Sequence, residues 1–415
     1  MCLPEVGLTV LYILALSKAT VGFGRDVCLV VLAPFPDKVA RPIFQPDWDG
    51  GPALIPAARL AADRINNRTD ILAEYRLRLL EGDSGCNVET KSALSVAGNL
   101  FEHSLNCSVV GIIGPACTGA TTFVGDIGAL DEVSLIQISP SATSPILISS
   151  EYVNTFRVLS SSLEHVEVFI RLMEQNGWED VAALYDADRL YFRSTFEYFQ
   201  NISAHIGYYS TVSNNTIPLD DIWARYKVVF VFVGASLARK ILCLAYHFQP
   251  SLIYPNHQWI FHDKTADQFL VDFSFSYRGQ VYKCSKQEMA MATDGIILDV
   301  YRLKRMNTTT QTDVDLTYEQ FSDMYKIYLK DYLKEVNLTN KDYNQNGEDF
   351  ATVYYDATWA MVLSLNHSLH DLANLNTTLS SYSYGQPSAT AVIKTYLSDL
   401  QFEGLSGRIA FQNST

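Results

Sequence analysis

The chain has 415 residues, 48% of them hydrophobic and 18% charged, which supplies core for two or three domain-sized units and excludes global disorder. Its formal net charge is −14, and its 31 Lys and Arg are scattered without a basic run or stripe, which excludes a nucleic-acid-binding surface.

Residues 1–22 read as a secretory signal. The apolar run Val6–Leu16 is followed by small residues at Ser17, Ala19 and Gly22, and it is shorter than the roughly 20 residues a membrane span needs. No later stretch is long enough to cross a bilayer, so the expectation is a chain that is secreted or forms the outer part of a longer membrane receptor. Asn-x-Ser/Thr sites at Asn67, Asn106, Asn201, Asn214, Asn307, Asn337, Asn366, Asn376 and Asn413 agree with a glycosylated exterior. Cys2 leaves with the signal, and the remaining cysteines are even in number, as a disulfide framework requires. Placement suggests Cys86 with Cys117, at the same sheet edge, and Cys243 with Cys284. Cys28 and Cys107, each opening a strand, allow a third bridge. No two cysteines stand at zinc-finger spacing, and no metal or cofactor is expected.

Val27–Leu32 is an apolar strand. A Pro-rich stretch follows to Gly51, with Trp48 set between two aspartates, either as a loop anchor or as a ring over a ligand. Leu54, Ala58, Ala61 and Ile65 mark a helix, Tyr75–Leu80 alternates as a half-buried strand, and Lys91–His103 is helical. Val109–Ile113 and Val133–Ile138 are continuous apolar runs, as buried parallel strands are. Each enters a turn of small hydroxylic residues, Gly114-Pro115-Ala116-Cys117-Thr118-Gly119 and Ser139-Pro140-Ser141-Ala142-Thr143-Ser144. Open α/β sheets bind ligands at the carboxyl ends of their strands, and a following helix N-terminus offers free N–H groups and a positive dipole end. Two such turns side by side make a receptor for one small carboxylate; the competing reading is that these hydroxyls only cap helices.

The alternation up to Ser150 predicts a parallel sheet with helices on both faces. After an extended segment, Tyr152–Ser160, the pattern restarts. A helix carrying Val166, Phe169, Ile170 and Met173 stops at Asn176-Gly177. Strand Val181–Tyr185, helix Thr195–His205, strand Val228–Val233, helix Ser236–Phe248 and strand Gln258–Phe261 follow. Helices are expected over Thr317–Glu335, which carries Tyr318, Phe321, Tyr325 and Tyr328, and over Asp349–Leu369 and Ala391–Leu400. A turn at Gly404–Gly407 leads into a last strand, where the chain stops mid-pattern. The expected layout is signal 1–22, lobe 1 over 23–155, lobe 2 over 156–345, a return to lobe 1 over 346–385, and a truncated lobe 2 segment over 386–415.

Catalytic motifs fail. Gly82-Asp83-Ser84-Gly85 resembles a protease nucleophile loop but continues into Cys86 in an alternating α/β pattern. Asp342-Tyr343-Asn344-Gln345-Asn346-Gly347 starts like a calcium loop, yet its twelfth position is Val353 rather than Glu. The histidines form no motif, and His262 reads as structural. The chain is not expected to be an enzyme.

Several stretches, in order, carry a resemblance. They are Ile65–Leu72 with Tyr75-Arg76-Leu77 and Asp83-Ser84-Gly85-Cys86; Gly114–Thr122; Phe156-Arg157; Asn176-Gly177-Trp178; Ala238-Arg239-Lys240 with Cys243; Tyr355-Asp356-Ala357-Thr358-Trp359; and Phe402-Glu403-Gly404-Leu405-Ser406-Gly407. As a set they resemble the extracellular ligand-binding module of the metabotropic (type B) GABA receptors, within the class C G-protein-coupled receptors. The resemblance implies an α/β, two-lobed, periplasmic-binding-protein-like (type I) clamshell, each lobe a mostly parallel sheet flanked by helices. It also supports the Cys86–Cys117 and Cys243–Cys284 pairs. It implies an amino acid or small carboxylate ligand, caught by lobe 1 and enclosed as lobe 2 closes. It places Thr118, Ser141 and Thr143 on the ligand carboxylate, Trp48 packed on the ligand, and Tyr191 reaching it from lobe 2.

Departures from the family fall on the other half of the site. Leu159 replaces a lobe 1 His, Gly234 a lobe 2 Tyr, and Lys264, beside Asp263, a lobe 2 Trp. Phe350, next to Asp349 and Glu348, stands where a Glu meets the ligand ammonium. The alternatives are a non-binding partner subunit of a heterodimer and the ectodomain of a natriuretic-peptide-receptor-like guanylate cyclase. The run Ser141-Ala142-Thr143 and the Phe402–Gly407 motif favour the amino-acid branch. The implied partners are a homo- or heterodimer through lobe 1, with helix Leu54–Ile65 at the interface of a non-binding subunit. A G protein would be engaged only through a membrane domain outside this chain.

Overall fold

The computed structural model describes residues 26–35, 51–86, 98, 107–248, 252–264, 266–301, 303, 307–339, 345–382 and 384–411. The expectations for the signal, Trp48, helix Lys91–His103, Asn106, Asn413 and the calcium-like loop start at 342–344 lie outside them.

Strand β1 (Asp26–Ala33) is buried at every position but its first, as only a strand covered on both faces can be. It pairs in parallel with β2 (Arg76–Asp83) and β3 (Ser108–Ile113), and β4 (Gln137–Ser139) and β5 (Thr155–Arg157) extend the sheet in the order β2-β1-β3-β4-β5. The expected strand Val133–Ile138 contracts to β4. Ser134 takes a left-handed φ of 44°, which breaks the extended run, although Val133, Leu135 and Ile136 stay buried. Helix α1 (Gly51–Asn66) follows β1, its start joined to the strand end by Gly51 N–H to Pro34 O at 2.8 Å. Helix α2 (Thr118–Ala129) follows β3.

The second sheet repeats this plan. Helix α3 (Ser162–Asn176) ends at Gly177, whose φ of 64° is the left-handed cap that Asn-Gly predicts. Then come β6 (Val181–Tyr185), α4 (Leu190–Ile202), β7 (Ile206–Thr211), the short α5 (Leu219–Trp223), β8 (Val228–Phe232), α6 (Ala235–His247) and β9 (Gln258–Phe261). A hairpin of β10 (Phe273–Tyr277) and β11 (Gln280–Cys284), helix α7 (Lys286–Ala292) and β12 (Ile297–Leu298) complete it. The sheet order is β7-β6-β8-β9-β12, all parallel, so both sheets run outward from their first strand in the same sequence. Sequence reading missed β7, an edge strand whose residues alternate half-buried and exposed. It also missed the hairpin, whose Arg278-Gly279 turn has positive φ at both residues.

Three long helices follow, α8 (Tyr318–Glu335), α9 (Ala351–Asn374) and α10 (Pro387–Ser398), then a two-stranded hairpin of β13 (Gln401–Glu403) and β14 (Arg408–Ala410). The chain divides into two compact units, one of Met1–Thr143, Leu147–Ser160 and Arg302–Thr415, the other of Ser144–Ile146 and Ser161–Tyr301. This corrects the expected boundaries: 302–345 and 386–415 group with the first sheet rather than the second. The aromatic face of α8 explains the first change. Tyr325 Oη donates to Ala53 O at 2.8 Å, Tyr328 Oη to Asp63 at 2.7 Å, and Arg59 on α1 bonds both Glu81 and Glu335. The second follows from Thr390 Oγ1 and Gly385 N–H, which donate to Ser134 O and Val133 O.

The same docking covers most of helix α1 within its own unit. Helix α1 exposes only Asp63 and Asn66, because α8, α9 and the sheet cover the rest. Its buried Leu54, Ile55, Leu60 and Ile65 each contribute roughly 1.5–3 kcal/mol to the unit's own core. Disulfides join Cys28 to Cys107, Cys86 to Cys117 and Cys243 to Cys284. Among the described residues no helix is long and apolar enough to cross a membrane.

Candidate functional site

In the first unit, β3 runs into a turn that only glycine can begin. Gly114 has a φ of 95°, and a Cβ there would lie 2.1 Å from Leu32 O. The Gly114–Pro115 bond is cis, and Cys117, bonded to Cys86, precedes α2 in an extended conformation with no side-chain cap. The first N–H groups of α2 therefore lack intrahelical acceptors and carry the positive end of the helix dipole. Gly119 has nothing within 4 Å of where a Cβ would stand, so the backbone there is open to approach. Thr118, 5% exposed, has no side-chain hydrogen-bond partner among the described residues.

The second turn is stitched to the first. Ser139 Oγ donates to Pro115 O at 2.6 Å and accepts from Ala142 N–H at 3.1 Å. Thr121 Oγ1 lies 3.3 Å from Ser139 Oγ and within reach of the Pro115 and Cys117 carbonyls. Ser141 Oγ donates to Ala116 O at 3.0 Å. These bonds join the two turns, and Ser141 uses its one proton to hold them together. Thr143 is 3% exposed, and its carbonyl accepts from Arg157 at 3.5 Å. Ser139, Thr121 and Arg157 lie in stretches that the sequence marked, but none was given a site role there; Ser139 and Arg157 end β4 and β5, and Thr121 stands in the first turn of α2.

In the second unit, Tyr191 stands in the first turn of α4, and its hydroxyl lies 2.8 Å from His262 Nε2. His262, directly after β9 and wholly buried, places Nδ1 2.7 Å from Asp299 Oδ2. The other carboxylate oxygen, Oδ1, lies 2.5 Å from His165 Nδ1. Burial pushes the Asp299 carboxyl up, but the hydrogen bonds from His165 and His262 outweigh it and hold the group well below the usual carboxylate range. With Asp299 ionised, both Nδ1 atoms are the donors, which leaves His262 Nε2 facing the Tyr191 hydroxyl. His165 and His262, read from sequence as unconnected, meet here; separations of 97 and 37 residues between the three partners hid them.

The remaining expected residues are placed as follows. Lys264 is buried, with Nζ donating to His262 O at 3.1 Å and Asp263 O at 2.6 Å and lying 5.0 Å from the Phe192 ring centre. Asp263 is half-buried in a left-handed turn with φ 55°. Asp349 is exposed in the short turn before α9. Leu159 is buried, and Gly234 caps α6. Of the glycosylation sites, Asn67, Asn201, Asn214, Asn307, Asn337 and Asn376 are exposed, whereas Asn366 is half-buried on α9 and accepts Leu72 N–H at 2.9 Å.

The chain matches the family model described as receptor family ligand binding region over residues 54–415. It is 25% identical over 375 residues to gamma-aminobutyric acid type B receptor subunit 1 of Mus musculus, covering 88% of this chain and 36% of that protein. To gamma-aminobutyric acid type B receptor subunit 2 of Caenorhabditis elegans it is 22% identical over 388 residues, covering 90% and 41%. To metabotropic glutamate receptor-like protein E of Dictyostelium discoideum it is 24% identical over 318 residues, covering 74% and 34%. The chain thus spans well under half the length of these relatives.

Proposed function

This chain belongs to the receptor family of ligand-binding regions, and from that membership we propose that it is the extracellular ligand-sensing part of a GABA-B-like, class C G-protein-coupled receptor. Its ligand is an amino acid or related small carboxylate. The observation that supports this most is the stitched pair of turns at the carboxyl ends of β3 and β4, with an uncapped helix start, an open Gly119 and the Thr118 hydroxyl beside it. Those donors take the carboxylate first, with Thr143 and Trp48 near it. Closure of the second unit then brings Tyr191 and Asp263 to the amino end. Only a ligand with higher affinity for the closed form drives that step. Pairing with a second subunit through the first unit completes the receptor.

One observation favours a second reading, the non-binding partner subunit. Ser141 and Lys264, both in expected ligand positions, direct their donors at backbone carbonyls. Titration calorimetry of the purified chain with GABA, glutamate, glycine and other α-amino acids separates the two. Saturable heat from at least one, abolished by Thr118→Ala, supports the sensor. No heat from any, from a folded chain that pairs with a related subunit, overturns it in favour of the partner.

A further inference from the structure

We propose that His165, His262 and Asp299 form a binding site in the second unit for a dication of the zinc class. One ligand atom from each lies within 4.8 Å of those from the other two. They come from three elements that share one end of the unit: the first turn of α3, the residue after β9 and the residue after β12. Two imidazole nitrogens and one carboxylate, which meets them through both its oxygens, are the donor set that suits zinc, with a further position left for water or a ligand.

The geometry is close to that of a bound ion. Both Nδ1 atoms already face the carboxylate, at 2.5 and 2.7 Å, with a proton in each gap. Replacing the two protons by an ion with bonds of about 2.0–2.1 Å opens each N···O separation by less than about 1 Å. The surroundings are those of a metal centre rather than a solvated ion pair. The Phe169 and Phe232 rings lie 5.9 and 5.6 Å from His262, and the Tyr301 ring lies 4.0 Å from His165. Metal-bound histidines hold their second ring nitrogen with an outer partner, and His262 Nε2 has one in Tyr191 Oη at 2.8 Å. With Nδ1 on the metal, Nε2 carries the proton and donates to Tyr191. Tyr191 is thus a positioning residue for the site. The other candidate trio among the described residues, Cys243, His247 and Cys284, is closed to metal because its two sulfurs are bonded to each other.

The test is titration of the full chain, freed of metal by chelator dialysis, with zinc chloride by calorimetry and with cobalt chloride by visible absorption. Expected are one tight ion per chain and the intense visible bands of a low-coordinate cobalt centre. His165→Gln and Asp299→Asn should weaken binding about 100-fold or more, Tyr191→Phe about 10-fold, and His367→Gln, on an exposed turn of α9, not at all. If a variant does not fold, the wild-type titration still decides. Zinc binding weaker than about 100 μM, or cobalt bound without those bands, overturns the proposal, as does affinity unchanged in folded His165→Gln and Asp299→Asn.

Discussion

Asp356 and Ser406 meet twice: the carboxylate Oδ2 accepts the Ser406 backbone N–H at 2.8 Å and its hydroxyl at 2.6 Å. Oδ1 takes Leu405 N–H at 2.8 Å, and a Cβ on Gly404 would lie 2.5 Å from Oδ2. The motif around Tyr355-Asp356 and the motif Phe402–Gly407, far apart in sequence, are therefore one construction, a fully buried carboxylate on α9 wrapped by a glycine-flanked turn. Asp356→Ala leaves three donors without their acceptor and should lower stability by on the order of 3 kcal/mol in urea unfolding. A loss below about 1 kcal/mol would mean that water replaces the carboxylate.

Two glycines in the first turn should behave oppositely. Gly114→Ala forces a Cβ against Leu32 O at a positive φ, and a loss of roughly 2–4 kcal/mol is expected in thermal or chemical unfolding. Gly119→Ala meets nothing, so stability should stay within about 0.5 kcal/mol of wild type, while calorimetric affinity for the carboxylate ligand falls. An unchanged affinity would move the ligand away from the start of α2.

Peptide mapping without reductant should recover Cys28–Cys107, Cys86–Cys117 and Cys243–Cys284 as the linked pairs. Converting Cys28 and Cys107 together to Ser should cost roughly 4 kcal/mol of unfolding free energy in the loop-entropy model. A different linkage map would reassign the sheet edge around the first turn.

His257 gives the fold a pH dependence. It is 2% exposed, and neither ring nitrogen has a hydrogen-bond partner among the described residues. Burial, with Lys227 adding to it, pushes the imidazole down to about 4. In the unfolded chain it titrates near 6.5, so between those values the unfolded state binds more protons and stability rises with pH. The contribution is complete above about pH 6.5 and is lost as pH falls towards 4, on the order of 2 kcal/mol between pH 7 and 5. Urea unfolding of His257→Leu at both pH values should show that much less acid sensitivity than wild type; equal sensitivity would place the proton uptake elsewhere.

The order of strands and helices, the parallel sheets and the two hydroxylic turns were legible in the sequence, because each rests on local pattern. Buried strands are apolar throughout, helices repeat every three to four residues, and Asn176-Gly177 ends α3 by the backbone freedom of glycine alone. Placement at neighbouring strand ends suggested Cys86–Cys117 and allowed Cys28–Cys107, while Cys243–Cys284 was suggested by a helix and a polar loop. The edge strand β7 and the β10–β11 hairpin escaped because half-exposed strands carry a weak apolar signal.

Tertiary structure alone decided the rest. Helix α8 joined the first sheet because Tyr325 reaches a carbonyl 272 residues away, a contact no periodicity encodes. The proton of Ser141 went to Ala116, and His165, Asp299 and His262 closed into one hydrogen-bonded chain. Sequence names the donors and acceptors, but buried polar groups must find partners, and which partner each finds depends on where separate elements end in space.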